Sequence, residues 1–94
     1  MASEAQAMNK ITIYTTPFCP YCLSAKRLFA RKGVAFSEID VSGDRQAREA
    51  LRELAGGRTS VPQIFIGDVH VGGCDELYAL EDAGKLDALL SGEP

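Results

Sequence analysis

Ninety-four residues, 46% hydrophobic and 24% charged with no low-complexity stretch, support one globular domain with a modest core; at this length roughly 60–65% of the unfolded surface is buried on folding. The net charge of −3 leaves no basic stripe of the kind a phosphate backbone requires, which argues against nucleic-acid binding. Three cysteines, an odd number, argue against a secreted disulfide framework.

Residues 1–8 have neither a basic start nor an apolar run of signal-peptide length. They are expected to be a flexible tail, with no secretory signal, no membrane span and a cytoplasmic location, while residues 9–94 form the domain. Residues 10–15 alternate polar and apolar and predict a strand. A helix begins near Pro20, where a missing N–H is no loss. It carries Cys22, Ala25, Leu28 and Phe29 on one face and ends at Gly33. Lys26, Arg27, Arg31 and Lys32 lie on the other side, where they complement the helix dipole as a solvated face or attract acidic substrates.

Residues 34–39 read as a second strand and residues 40–43 as a turn. An amphipathic helix follows over 44–55, with Ala47, Ala50, Leu51 and Leu54 expected inward and Asp44–Arg48 and Arg45–Glu49 as surface pairs. Residues 63–66 and 69–71 flank Gly67-Asp68, a two-residue hairpin signal. Two short helices, 75–83 and 85–90, close the chain around Gly84. The order β-α-β-α-β-β-α-α implies an α/β fold, a mixed sheet of about four strands with helices on its faces. Tyr14, Phe29, Phe36 and Phe65 are expected in the core.

Cys19-Pro20-Tyr21-Cys22 stands at the strand-to-helix junction. Two intervening residues let both sulfurs meet across the first helical turn, with Cys19 beside unpaired N–H groups and the positive dipole end. Thiols so placed titrate at roughly 3.5–7.5. Cys22 lies one turn further in, against apolar neighbours that disfavour its ionised form. The pair is therefore read as unequal: Cys19 reactive, Cys22 sheltered and resolving. Full ionisation at pH 7 gains roughly 30-fold in thiolate over an ordinary thiol. A Brønsted coefficient of about 0.4–0.5 takes back a similar factor in nucleophilicity, so the net gain lies in leaving-group ability. That favours a turnover catalyst over a structural bridge.

Plainer readings stand beside this one. Cys19 and Cys22 with His70 and Cys74 would make an acceptable zinc set, although strand alternation turns His70 away from the side of Val69 and Val71. Cys74 reads as a small residue beside a Gly-Gly turn or as a secondary redox thiol. His70 reads as a solvent-facing strand residue, Pro62 as a strand opener, and Asp75 as a helix N-cap.

Cys19-Pro20-Tyr21-Cys22, Ser60-Val61-Pro62 and Gly72-Gly73-Cys74-Asp75 resemble, in order and spacing, the motifs of the dithiol glutaredoxins. The resemblance runs from about residue 9 to residue 90. It implies a thioredoxin fold with helices on both faces of a four-stranded mixed sheet, and a cis peptide before Pro62 facing the cysteines. It implies a glutathione groove in which Val61 backbone meets the cysteinyl part of the tripeptide. Gly73, Cys74 and Asp75 receive its γ-glutamyl end, Ser60 and Pro62 belong to the same wall, and Tyr21 flanks it. Many members carry Lys where this chain has Thr16, and Arg58 is the candidate replacement; Ser60 stands for the commoner Thr. The implied activity is glutathione-dependent reduction of protein–glutathione mixed disulfides and protein disulfides by a monomer, with a redox-active Cys19–Cys22 disulfide, glutathione as co-substrate and no metal. The alternative is a dimer bridged by a glutathione-ligated [2Fe–2S] cluster, as in some members of the family.

Overall fold

The period-two pattern near the start of the chain becomes β1 (Ile11–Thr15) in the computed structural model, which describes residues 9–92. Residues 1–8, expected as a tail, lie outside the described residues. Alternation sends Ile11 and Ile13 to one side of the sheet and Tyr14 to the other, so the strand is buried on both sides. Helix α1 (Pro20–Lys32) carries Pro20 in its first turn and buries Cys22, Ala25, Leu28 and Phe29 as expected.

Helix α1 ends at Gly33, whose φ of 72° is left-handed. The Gly33 N–H donates to Ala30 O at 3.0 Å and the Val34 N–H to Phe29 O at 3.3 Å, the paired bonds of a Schellman stop. This closure explains a shift from expectation. Val34 is held by the helix end, and it packs with Phe36 against the core. The second strand is therefore β2 (Ser37–Asp40), not residues 34–39.

Helix α2 (Arg45–Leu54) departs further from its expected surface. Leu51 and Ala55 are buried and Ala47 packs beside them, but Ala50 is exposed and Leu54 is 56% exposed. The stripe is narrow, one residue per turn at i, i+4, i+8, because α2 leans on a small cluster of Tyr14, Val41, Ile39, Val61 and Phe65. Neither predicted ion pair forms among the described residues. The Asp44 carboxylate instead accepts the Ala47 N–H at 3.0 Å as N-cap, and Arg48 Nε donates to Val41 O at 3.0 Å.

Strands β3 (Gln63–Ile66) and β4 (Val69–Gly72) form the hairpin around Gly67-Asp68, with a register shift between Ile64 and Phe65. Gly67 takes φ 59°, the positive value a two-residue turn needs at its first position. Helices α3 (Cys74–Asp82) and α4 (Leu86–Ser91) follow. The sheet runs β2-β1-β3-β4, with β1 parallel to β2 and antiparallel to β3, and β3 antiparallel to β4. Ala25, Leu28, Phe29, Leu77, Leu86 and Leu90 from α1, α3 and α4 meet Ile11, Ile13, Ile64 and Ile66 on one face. On the other face α2 covers the smaller cluster. This is the four-stranded mixed α/β sheet with helices on both faces that the sequence implies.

Candidate active site

The turn between β1 and α1 places Cys19 at the N-cap, in an extended conformation with φ −110° and ψ 109°. Its Sγ accepts the Cys22 N–H at 3.1 Å, one of the first-turn donors that a helix leaves unpaired. The sulfur thus stands at the positive end of a 13-residue helix, with a backbone N–H aimed at it. Cys19 is partly accessible, whereas Cys22 is 1% exposed. Burial is the main reason the Cys22 thiol is pushed up to about 12; the hydrogen bond with Cys19 adds to it, and a backbone bond from Thr16 opposes it. The two sulfurs are thus unequal, and both are free thiols here.

Across from Cys19 lies the loop ahead of β3. The Val61–Pro62 peptide is cis, and Val61 O stands 3.8 Å from Cys19 Sγ. A groove opens beside this pair, lined by Tyr21, Arg58, Ser60, Val61, Pro62, Gly73, Cys74 and Asp75, all named in the sequence reading. Thr16 is the exception. It lines a separate groove on the other side of Cys19, with Pro17, Leu23, Lys26 and the 96%-exposed Phe18. The fold therefore puts Arg58, not Thr16, in the wall with Asp75.

Two residues of this region escaped the sequence reading. Glu76 also lines the groove and accepts the Gly73 N–H at 2.6 Å, a bond that holds its carboxyl below the usual range. Glu76 occupies the capping-box position three residues after the N-cap Gly73, so the N-cap reading of Asp75 is corrected: Asp75 sits inside the first turn of α3. The second residue is Gln63, a polar side chain in an apolar strand and 0% exposed. It joins Ser60 Oγ at 3.2 Å to His70 Nε2 at 2.7 Å.

His70, expected to face solvent, is half-buried. Its ring stacks on Phe65 with centroids 4.7 Å apart and planes 18° off parallel. The zinc set of Cys19, Cys22, His70 and Cys74 is not brought together: no group of three or more His, Cys, Asp or Glu side chains able to hold a metal occurs among the described residues. Cys74 is buried in the wall beside the Gly-Gly turn, and burial, then Asp75 and Cys19, raises its thiol. No helix among the described residues is long and apolar enough to cross a membrane.

Known proteins place this geometry. The Glutaredoxin family model matches residues 11–71. A glutaredoxin of Pseudomonas aeruginosa is 60% identical over 84 residues, spanning 89% of this chain and 99% of its own. The solution structure of glutaredoxin from Brucella melitensis superimposes with a TM-score of 0.80 at 58% identity, covering 92% of each chain. A crystal structure of a buckwheat glutaredoxin–glutathione complex is similar with a TM-score of 0.79 at 28% identity, over 96% of this chain and 84% of that one.

Proposed function

The chain belongs to the glutaredoxin family, and from that premise we propose that it is a cytoplasmic, monomeric, glutathione-dependent reductase of protein–glutathione mixed disulfides and protein disulfides. The observation that carries the reading is the placement of Cys19 Sγ, which accepts the Cys22 N–H at 3.1 Å and faces Val61 O at 3.8 Å, beside a groove lined by Val61 and Asp75. A similar glutaredoxin has been crystallised as a glutathione complex.

In the monothiol route the Cys19 thiolate attacks the glutathione sulfur of a mixed disulfide. The protein sulfur leaves and takes up a proton, and Cys19 becomes glutathionylated. A second glutathione thiolate attacks the bound glutathione sulfur, forming glutathione disulfide and restoring the Cys19 thiolate. The Val61 backbone aligns the cysteinyl part of the tripeptide, Tyr21 and Pro62 flank it, and Cys74, Asp75 and Arg58 meet its charged ends.

The dithiol route takes a protein disulfide as substrate. Cys19 attacks one sulfur and releases the other, then Cys22 loses its proton, attacks Cys19 Sγ and frees the second protein thiol. Two glutathiones reopen the Cys19–Cys22 disulfide. A thiol pushed up to about 12 is ionised in only about one molecule in 10⁵ at pH 7. Cys22 is therefore almost wholly protonated in the free protein, and its attack needs loss of that proton.

The test is turnover of a small glutathione mixed disulfide and of a protein disulfide by two variants. Cys19→Ser is expected to abolish both activities. Cys22→Ser is expected to keep the first within about threefold and to lose the second. A folded Cys22→Ser protein inactive on both substrates overturns the division of roles.

A further inference from the structure

We infer that His70, on β4 and eight residues after the cis Pro62, is a positioning residue for the loop that receives glutathione. This inference rests on the glutathione reading above and adds to it a residue outside the groove wall. The argument begins with Gln63. Its side chain is fully buried, and a buried amide left unpaired carries a desolvation penalty of about 1–3 kcal/mol. Both of its ends are satisfied: Oε1 pairs with His70 Nε2 at 2.7 Å, and Nε2 donates to Ser60 Oγ at 3.2 Å.

The bridge spans β4 to the residue immediately before Val61–Pro62. The half-buried His70 ring is braced on one face. Phe65 stacks against its ring at 4.7 Å, and Phe65 is held edge-on by Tyr14 at 5.7 Å. The hairpin register that pairs Ile66 with Val69 sets Phe65 opposite His70. Ring and amide together form a strut from β4 to Ser60.

What the strut supports is the Val61 backbone opposite Cys19 Sγ. A misplacement there weakens alignment of a tripeptide on the loop but leaves the Cys19 sulfur and its helix untouched. His70 touches no reacting atom. It acts through Gln63 and Ser60.

Two substitutions separate this role from simple packing. His70→Phe keeps a ring to stack on Phe65 and removes the hydrogen bond to Gln63. His70→Gln places an amide nitrogen near the position of Nε2 and keeps the donor. His70→Phe is expected to raise KM for a glutathione mixed disulfide about fivefold, the scale of one hydrogen bond. In this variant kcat and the rate of Cys19 alkylation by iodoacetamide stay within about twofold of wild type. His70→Gln is expected to return KM to within about twofold. The Val61 amide chemical shift should move in His70→Phe and return in His70→Gln.

An unchanged KM and Val61 shift in folded His70→Phe protein overturns the inference, as does a loss that His70→Gln fails to restore. If the wild-type protein does not turn over the mixed disulfide at all, the glutathione reading falls, and the Val61 shift alone then decides whether His70 positions the loop.

Discussion

Two cysteines on one helical turn differ because one carries the unpaired end of a helix and the other carries the core. Cys19 Sγ has a backbone N–H at 3.1 Å, while Cys22 has burial as its dominant influence. A second residue-scale contrast lies under the same helix. Glu38 accepts Lys26 Nζ at 2.9 Å and the hydroxyl of the buried Thr15 at 2.7 Å, and these bonds, Lys26 first, hold its carboxyl below the usual range. A carboxyl lowered in the folded state stabilises the protein above its unfolded value of about 4.3, and that contribution is lost as pH falls through and below it. The pair is over a third exposed on the Glu38 side, so solvent screening limits it to less than about 1 kcal/mol. Urea unfolding of Glu38→Gln is expected to show slightly lower stability at pH 7 and a flatter loss between about pH 5 and pH 3 than wild type. Equal acid limbs for the two proteins would count against this assignment.

At the scale of elements, the ends of α1 decide more than its middle. Its beginning is a chemical group, because the N-cap is the sulfur itself. Its end is set by Gly33, where φ of 72° admits glycine and strains any other L residue. A Cβ added there meets nothing within 4 Å, so strain in the backbone is the whole effect. Gly33→Ala is expected to lower stability by about 1 kcal/mol, read as the denaturation midpoint, with mixed-disulfide turnover unchanged. A neutral or stabilising result would mean that the helix does not need its left-handed stop. Lys32 reinforces the same end by pairing with Glu81 at 2.6 Å and Asp87 at 2.9 Å, which ties α1 to α3 and to α4.

For the whole molecule, burial of β1 and β3 on both sides is what fixes the site. α1 is pressed on one face through Ala25, Leu28 and Phe29, and the loop ahead of β3 is anchored on the other through Val61 and Phe65. Cys19 and Val61 meet at the rim where these two layers join. A site so assembled from one chain needs no second subunit for thiol exchange, and the monomer is the state expected in solution. Anaerobic reconstitution with iron, sulfide and glutathione is expected to leave a colourless monomer by size-exclusion chromatography. A brown, glutathione-requiring dimer would favour the cluster-bridged alternative.

The sequence by itself determined the elements and the placement of the Cys19 sulfur at the start of a helix. Periodicity, Pro20, Gly33 and Gly67 are local signals, and the Cys19-to-Cys22 spacing needs only one helical turn to bring a sulfur to a free N–H. It also named eight of the residues that line the groove, through motifs that occur in short runs. Tertiary structure decided the rest, because those features depend on what packs across the sheet. Periodicity cannot tell how wide a stripe a neighbour will cover, so Ala50 and Leu54 were expected inside and stand in solvent. An apolar strand pattern does not show which partners a polar residue within it will meet, so it hides the Gln63 bridge between Ser60 and His70, and no local pattern shows which side of Cys19 receives Thr16 or Arg58. A local pattern sets where a strand or helix starts and stops, whereas the partners of a buried amide and the walls of a groove exist only after distant segments have docked.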